Sequence, residues 1–170
     1  MTTSFWRWSW KLGLASWLVM GGAIASSGNC ALAQITPDTT LGSENSTVTS
    51  TGSVDSIDGG ATRGANLFHS FQEFNVDSGR SAFFTNPTGI SNILSRVTGA
   101  NPSNILGTLG VSGGNANLFL INPNGIIFGP SARMDVGGSF VATTANAIGL
   151  TSGDIFSANP GEPVPNQVLI

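Results

Sequence analysis

Short apolar clusters recur along this chain about every 8 to 12 residues, each ended by Gly, Asn or Pro, and that spacing points to an all-β fold. Ser81–Thr85 ends at Asn86-Pro87-Thr88-Gly89. Ile93, Leu94 and Val97 end at Gly99-Ala-Asn-Pro102. Ile105, Leu106, Leu109 and Val111 precede Gly113-Gly114, and Met134-Asp-Val136 precedes Gly137-Gly138. Sandwich, barrel and β-helix can all use such clusters. Three features favour a parallel β-helix: very short strands, turns rich in Asn and Gly, and almost no sandwich-type alternation. Leu118–Ile121 is a continuous apolar run, as in parallel strands covered on both faces.

The sharpest turn signal lies in Leu118-Phe-Leu-Ile-Asn-Pro-Asn-Gly-Ile-Ile-Phe-Gly129. Asn122 can bond its own backbone two residues on, and Pro123 presets φ for the first central position. Asn124 and Gly125 tolerate the left-handed conformation. The flanks read as two buried strands, with Leu118, Leu120 and Phe128 in the core.

Upstream, Asn66-Leu-Phe-His-Ser-Phe-Gln-Glu-Phe-Asn-Val76 concentrates aromatic residues. Phe68, Phe71 and Phe74 recur every third residue, which is helical spacing for a one-turn element. Alternatively, Leu67, Phe71 and Phe74 plug the end of a sheet and His69 points outward. Either way the phenylalanines enter the core and suit a cap. His69 is the only histidine and is read as structural. Residues 34–60 alternate β-branched and polar residues, as one or two half-buried strands or as a loose linker.

Residues 1–33 have the pattern of a secretory signal peptide. Arg7 and Lys11 are basic, Leu12 to Ile24 carries no charge, and Ala31-Leu32-Ala33 offers a cleavage site before Gln34. The apolar run is short for a membrane span and rich in Gly and Ser, so no stable membrane insertion is expected. Asn29 makes Cys30 a poor lipidation site. Trp6, Trp8, Trp10, Trp17, Lys11 and Cys30 all lie in this segment. The mature chain then has no Trp, Tyr, Lys or Cys, and four arginines face nine carboxylates. That balance excludes the clustered basic surface that nucleic acids require, and the lost cysteine excludes a disulfide framework.

No catalytic constellation emerges. The carboxylates are scattered singly, and Arg63, Arg80, Arg96 and Arg133 form no cluster in sequence. Metal-ligand spacing, a nucleophile elbow and a phosphate-binding glycine loop are all missing. Neither a cofactor nor a metal is expected, and the chain does not read as an enzyme.

Four stretches taken in order carry a resemblance: 66–76, Ile93-Leu-Ser-Arg-Val-Thr98, Asn104-Ile-Leu-Gly-Thr-Leu-Gly-Val111, and 117–129. With them the chain resembles the filamentous-haemagglutinin N-terminal domain of two-partner-secretion exoproteins. The resemblance implies a right-handed parallel β-helix with an N-terminal cap and short extra-helical strands. It also implies passage through the periplasm to the outside or the outer cell surface. The partner it implies is a cognate outer-membrane β-barrel transporter with periplasmic docking domains. Its recognition motif maps onto Asn122, Pro123, Asn124, Gly125 and Ile126. A second family motif, Asn-Pro-Asn-Leu, has only Asn86 and Pro87 as counterparts. An adhesin that binds a cell-surface or glycan ligand is the alternative reading.

The expected organisation is a signal peptide over 1–33, a cap lead-in over 34–60, the β-helix domain over 61–150, and an incomplete C-terminal coil over 151–170. Val168, Leu169 and Ile170 read as the start of a further strand, as in a fragment of a longer exoprotein.

Overall fold

The computed structural model describes residues 1–2, 34–151 and 153–165. The chain divides into two units, Met1–Cys30 and Ala31–Ile170, and the described strands all belong to the second. The signal-peptide segment and the Val168–Ile170 strand expected from the sequence lie outside the described residues.

The second unit is a parallel β-helix of about four turns. One sheet stacks β5 (Asn66–Phe74), β7 (Asn92–Val97), β10 (Asn117–Ile121) and β13 (Phe140–Thr143) in parallel. The opposing sheet stacks β3 (Val54–Gly59), β6 (Ser81–Thr85), β9 (Thr108–Ser112) and β12 (Arg133–Asp135). A third corner carries Val76, β8 (Ser103–Ile105) and β11 (Ile126–Phe128). Each coil visits the three in the same order, so corresponding residues fall on top of one another. Leu67, Ile93 and Leu118 form one such row inside the helix.

The polar residue that opens each strand of the first sheet does more than end a turn. Asn92 Nδ2 donates to Asn66 Oδ1 at 2.8 Å, and Asn117 Nδ2 donates to Asn92 Oδ1 at 2.9 Å. The backbone N–H of Ser139 closes the ladder on Asn117 Oδ1 at 2.8 Å. Stacked amides thus bond to one another where the chain enters the sheet, with Asn66 Nδ2 left without a partner at the first rung.

Three strands that run antiparallel to the first coil cap the N-terminal end. These are β1 (Ile35–Pro37) and β4 (Ala61–Arg63) on β5, and β2 (Ser46–Thr51) on β3. The 34–60 segment is therefore strand rather than linker. The aromatic stretch is likewise an extended strand and not a helical turn. Its three-residue spacing has a different cause. Opposite β1, Thr36 faces Glu73 and Pro37 faces Phe71, so Gln72 is an extra residue. Such a bulge re-aims the side chains that follow it. Phe71 and Phe74 consequently both enter the core, where they meet edge-on at 5.1 Å. Phe68 lies on the opposite face of β5, buried in a separate cluster. His69 does not point outward. It is fully buried, 5.1 Å from Phe84 and 6.1 Å from Phe71.

Residues 151 and 153–165 do not extend the stack of parallel strands. β14 (Ala147–Gly149) and β15 (Ile155–Ser157) form an antiparallel hairpin. Phe156 and Ala158 cover the outer face of the first sheet, packing with Phe68, Leu94 and Ile121. That sheet is buried on both faces, which explains the apolar run Leu118–Ile121.

Leu118 and Leu120 are in the core as expected, but Phe128 is not: it remains 44% exposed. The reason is its position. β11, β12 and β13 are the last strands of their sheets, so no further coil covers them among the described residues. Ile127, Met134 and Val141 are exposed on the same final coil. Phe128 keeps one aromatic neighbour, Phe140, edge-on at 6.1 Å.

Candidate functional site

The turn 122–125 joins β10 to β11 and sits on the preceding turn, 99–103. Its formation is local. The Gly125 N–H reaches the Asn122 carbonyl at 3.1 Å, and Asn122 Oδ1 accepts the Asn124 N–H at 3.0 Å. The side chain of Asn122 thus fixes the same turn that its backbone closes, as Asx-turns do. Of the residues expected to tolerate the left-handed region, only Gly125 enters positive φ, at 121°. Asn124 stays at negative φ, as the third position of a turn without left-handed backbone requires.

The remaining bonds run to the coil before. Asn122 Nδ2 donates to the Asn101 carbonyl and to Ser103 Oγ, both at 3.0 Å. Asn124 Nδ2 donates to the Gly99 carbonyl at 2.7 Å. The Ser103 N–H returns a bond to the Gly125 carbonyl at 2.9 Å. From the coil after, the Thr143 carbonyl accepts the Asn122 N–H at 3.0 Å. Asn122 is fully buried with both amide atoms satisfied, whereas Asn124 is exposed and Pro123, Gly125 and Ile126 are half-buried. Turn formation and coil stacking therefore use the same two amides.

Asn86 and Pro87 lie elsewhere. Their turn follows β6 in the opposing sheet, so it belongs to a different corner from the turn after β10. The Asn86 N–H donates to the Ser112 carbonyl at 2.8 Å, and the Ile90 N–H to the Pro87 carbonyl at 3.2 Å. The two Asn-Pro turns are not stacked on each other.

One buried polar centre gathers on Arg96, a residue of the stretch Ile93–Thr98 to which the sequence alone assigned no role. Arg96, on the outer face of β7, has no solvent exposure. Its Nε donates to Ser70 Oγ and its Nη2 to Thr40 Oγ1, both at 2.9 Å. Its Nη1 donates to the carbonyls of Ser157 at 2.8 Å and Glu162 at 3.1 Å. The guanidinium lies over the Phe156 ring at 5.3 Å. Asp38 stands one hydroxyl away, accepting from Thr40 Oγ1 and Ser70 Oγ at 2.7 Å and from Thr98 Oγ1 at 2.6 Å. Burial pushes the Asp38 carboxyl upward, but these hydroxyl donors and the Thr40 N–H outweigh it and hold the group below its ordinary value. Burial pulls the Arg96 guanidinium down, opposed by the Asp38 charge. In sequence Arg96 is one of four scattered arginines. Only the folded chain brings it partners from 56 and 66 residues away. Among the described residues, no three His, Cys, Asp or Glu side chains meet as a metal site would need.

The fold is a parallel β-helix capped at its N-terminal end, and the comparison with known families places it. The model of the TPS secretion domain matches residues 33–170. The chain belongs to this family, the secretion domains of two-partner-secretion exoproteins. No curated protein matches the chain.

Proposed function

We propose that a cognate outer-membrane β-barrel transporter recognises the turn Asn122–Ile126 in the periplasm, while the chain is still extended. The domain then folds as a β-helix after crossing. Membership of the secretion-domain family supports the general role. The observation that carries the finer reading is the state of Asn122: fully buried, with its amide bonded to the neighbouring turn. A partner can read that amide only before the coils stack. An extended segment can meanwhile add to the edge of a docking domain through backbone hydrogen bonds, as strand addition allows. Folding then removes the segment from the transporter, because Leu118 and Leu120 are buried only when coils stack.

The test is secretion by cells that also express the transporter. Asn122→Ala is compared with Asn92→Ala, which breaks a half-buried amide ladder at another corner. Urea unfolding of both purified variants supplies the stability reference. We expect Asn122→Ala to lose secretion well beyond an Asn92→Ala variant of equal stability. Equal secretion of the two at equal stability would sink the recognition role.

A further inference from the structure

A charged side chain with no exposure is expensive to bury unless it is paired and fully hydrogen-bonded. Arg96 meets that condition only by drawing on four separate parts of the chain. The lead-in supplies Thr40 and, through it, Asp38. The first coil supplies Ser70, and the second coil carries Arg96 itself. The segment after β15 supplies the Glu162 carbonyl, and β15 supplies the Ser157 carbonyl and the ring of Phe156. Neither terminal segment can satisfy the guanidinium alone. Without Asp38 the site keeps an uncompensated positive charge. Without the hairpin, Nη1 has no carbonyl acceptors and the Phe156 ring is lost from above it.

We propose that Arg96 is a clasp that couples the two ends of the domain: the C-terminal hairpin docks firmly only on a β-helix whose N-terminal lead-in already holds Asp38 against Thr40 and Ser70. The coupling is reciprocal, as any linkage between two docking events must be. The hydroxyls of Thr40 and Ser70 are its working parts. Each accepts from Arg96 and donates to Asp38, so each orients one charge toward the other. Phe156 adds an apolar component, since it also packs against Phe68 at 4.9 Å. Given the secretion reading above, on which this consequence rests, a chain emerging lead-in first would stay unclasped until Glu162 had emerged. The structure would then close only when nearly all of residues 34–162 are outside.

Amide hydrogen exchange on the full-length protein tests the clasp without any transporter. Asp38→Asn removes the counter-charge. The Asp38 carboxylate bonds to Thr40, Ser70 and Thr98, none of which belongs to the hairpin. We expect exchange at residues 155–162 to rise at least tenfold, with the amides of β10 still protected. Phe156→Ala should in turn speed exchange at residues 38–41. If each substitution loosens only its own segment, the clasp is wrong. Should Asp38→Asn also lose protection in β10, Thr98→Val replaces it, removing a single donor to Asp38. A rise of a few-fold at 155–162 then supports the coupling, and no rise overturns it. A clasp intact by exchange in a protein that no transporter exports would instead count against the secretion reading alone.

Discussion

At the scale of single residues, the chain buries polar groups where its sequence looks unremarkable, and each makes a prediction. His69 is enclosed by Phe71 and Phe84, with Ser46 Oγ 3.0 Å from its Nδ1. Burial lowers its pKa from 6.5 to about 4, against a weaker pull upward from Asp58. Between those values the unfolded chain binds a proton that the folded chain refuses. Stability therefore falls as pH drops through that window, by roughly 3 kcal/mol at about 1.4 kcal/mol per pH unit, and levels off below it. Asp38 and Glu44, whose pKa values lie below ordinary, add their own loss as pH falls below their ordinary values of 3.8 and 4.5. Urea titrations from pH 7 to 4 should show the histidine slope, and His69→Gln should flatten it. A wild-type profile no steeper than that variant would refute the assignment. Asn122 and Asn124 give a second prediction. Asn122→Ala strips Ser103 and the Asn101 carbonyl of a buried donor and should cost about 2–3 kcal/mol. Asn124→Ala loses a bond to the Gly99 carbonyl and a longer one to Asn122 Oδ1 at an exposed site and should cost about 1 kcal/mol or less. The ratio is read directly from the two urea midpoints.

At the scale of elements, the asparagine ladder is the device that repeats. Asn92 is its middle rung, donating to Asn66 and accepting from Asn117. Asn92→Ala strips Asn66 Oδ1 of its donor and Asn117 Nδ2 of its acceptor and should destabilise by about 2–4 kcal/mol, whereas Asn66→Ala breaks one bond and also removes Asn66 Nδ2, which has no partner. The end rung should therefore be the cheaper loss, and thermal unfolding of the two variants would show it. Equal losses would mean that the rungs act independently of the stack. The ladder also marks how far the sequence can be read. Short apolar runs and Asn-Gly turns make a parallel β-helix legible, because a strand buried on both faces must be continuously apolar. The core positions Leu118 and Leu120 follow from the same pattern. Phe71 and Phe74 lie inside as expected, but their spacing looks helical because a single bulge at Gln72 imitates it. Phe128 departs from its expected place because burial in a solenoid depends on the next coil and not on the residue's own strand. The turn 122–125 is legible as a turn, since Asn-Pro-Asn-Gly encodes it locally. Its stacking on 99–103 is not, and neither is Arg96, because partners 56 and 66 residues away leave no local trace.

For the whole molecule, the arrangement of contacts sets an order of assembly. Stacked strands pair residues about one coil apart, 26 and 25 residues in the asparagine ladder. The clasp instead closes spans of 56 and 66 residues. Each doubling of a closed span adds about 0.6 kcal/mol of loop entropy, so loop closure favours coil stacking before clasping. Few contacts are local, and folding of such a chain belongs in the range of roughly milliseconds to seconds rather than microseconds. Slow folding is what the proposed passage of an extended chain through a transporter calls for. Residues 34–170 contain no Trp or Tyr, so stopped-flow circular dichroism is the suitable probe. Ile93 is fully buried between Leu67 and Leu118 and belongs to the early stack. Ile93→Val should slow refolding, while Arg96→Gln should mainly speed unfolding, because interactions absent from the transition state act on that limb. The outcome that would reverse this order is an Arg96→Gln variant that refolds more slowly yet unfolds at the wild-type rate. The clasp would then belong to the nucleus, and the ends of the domain would meet before its coils had stacked.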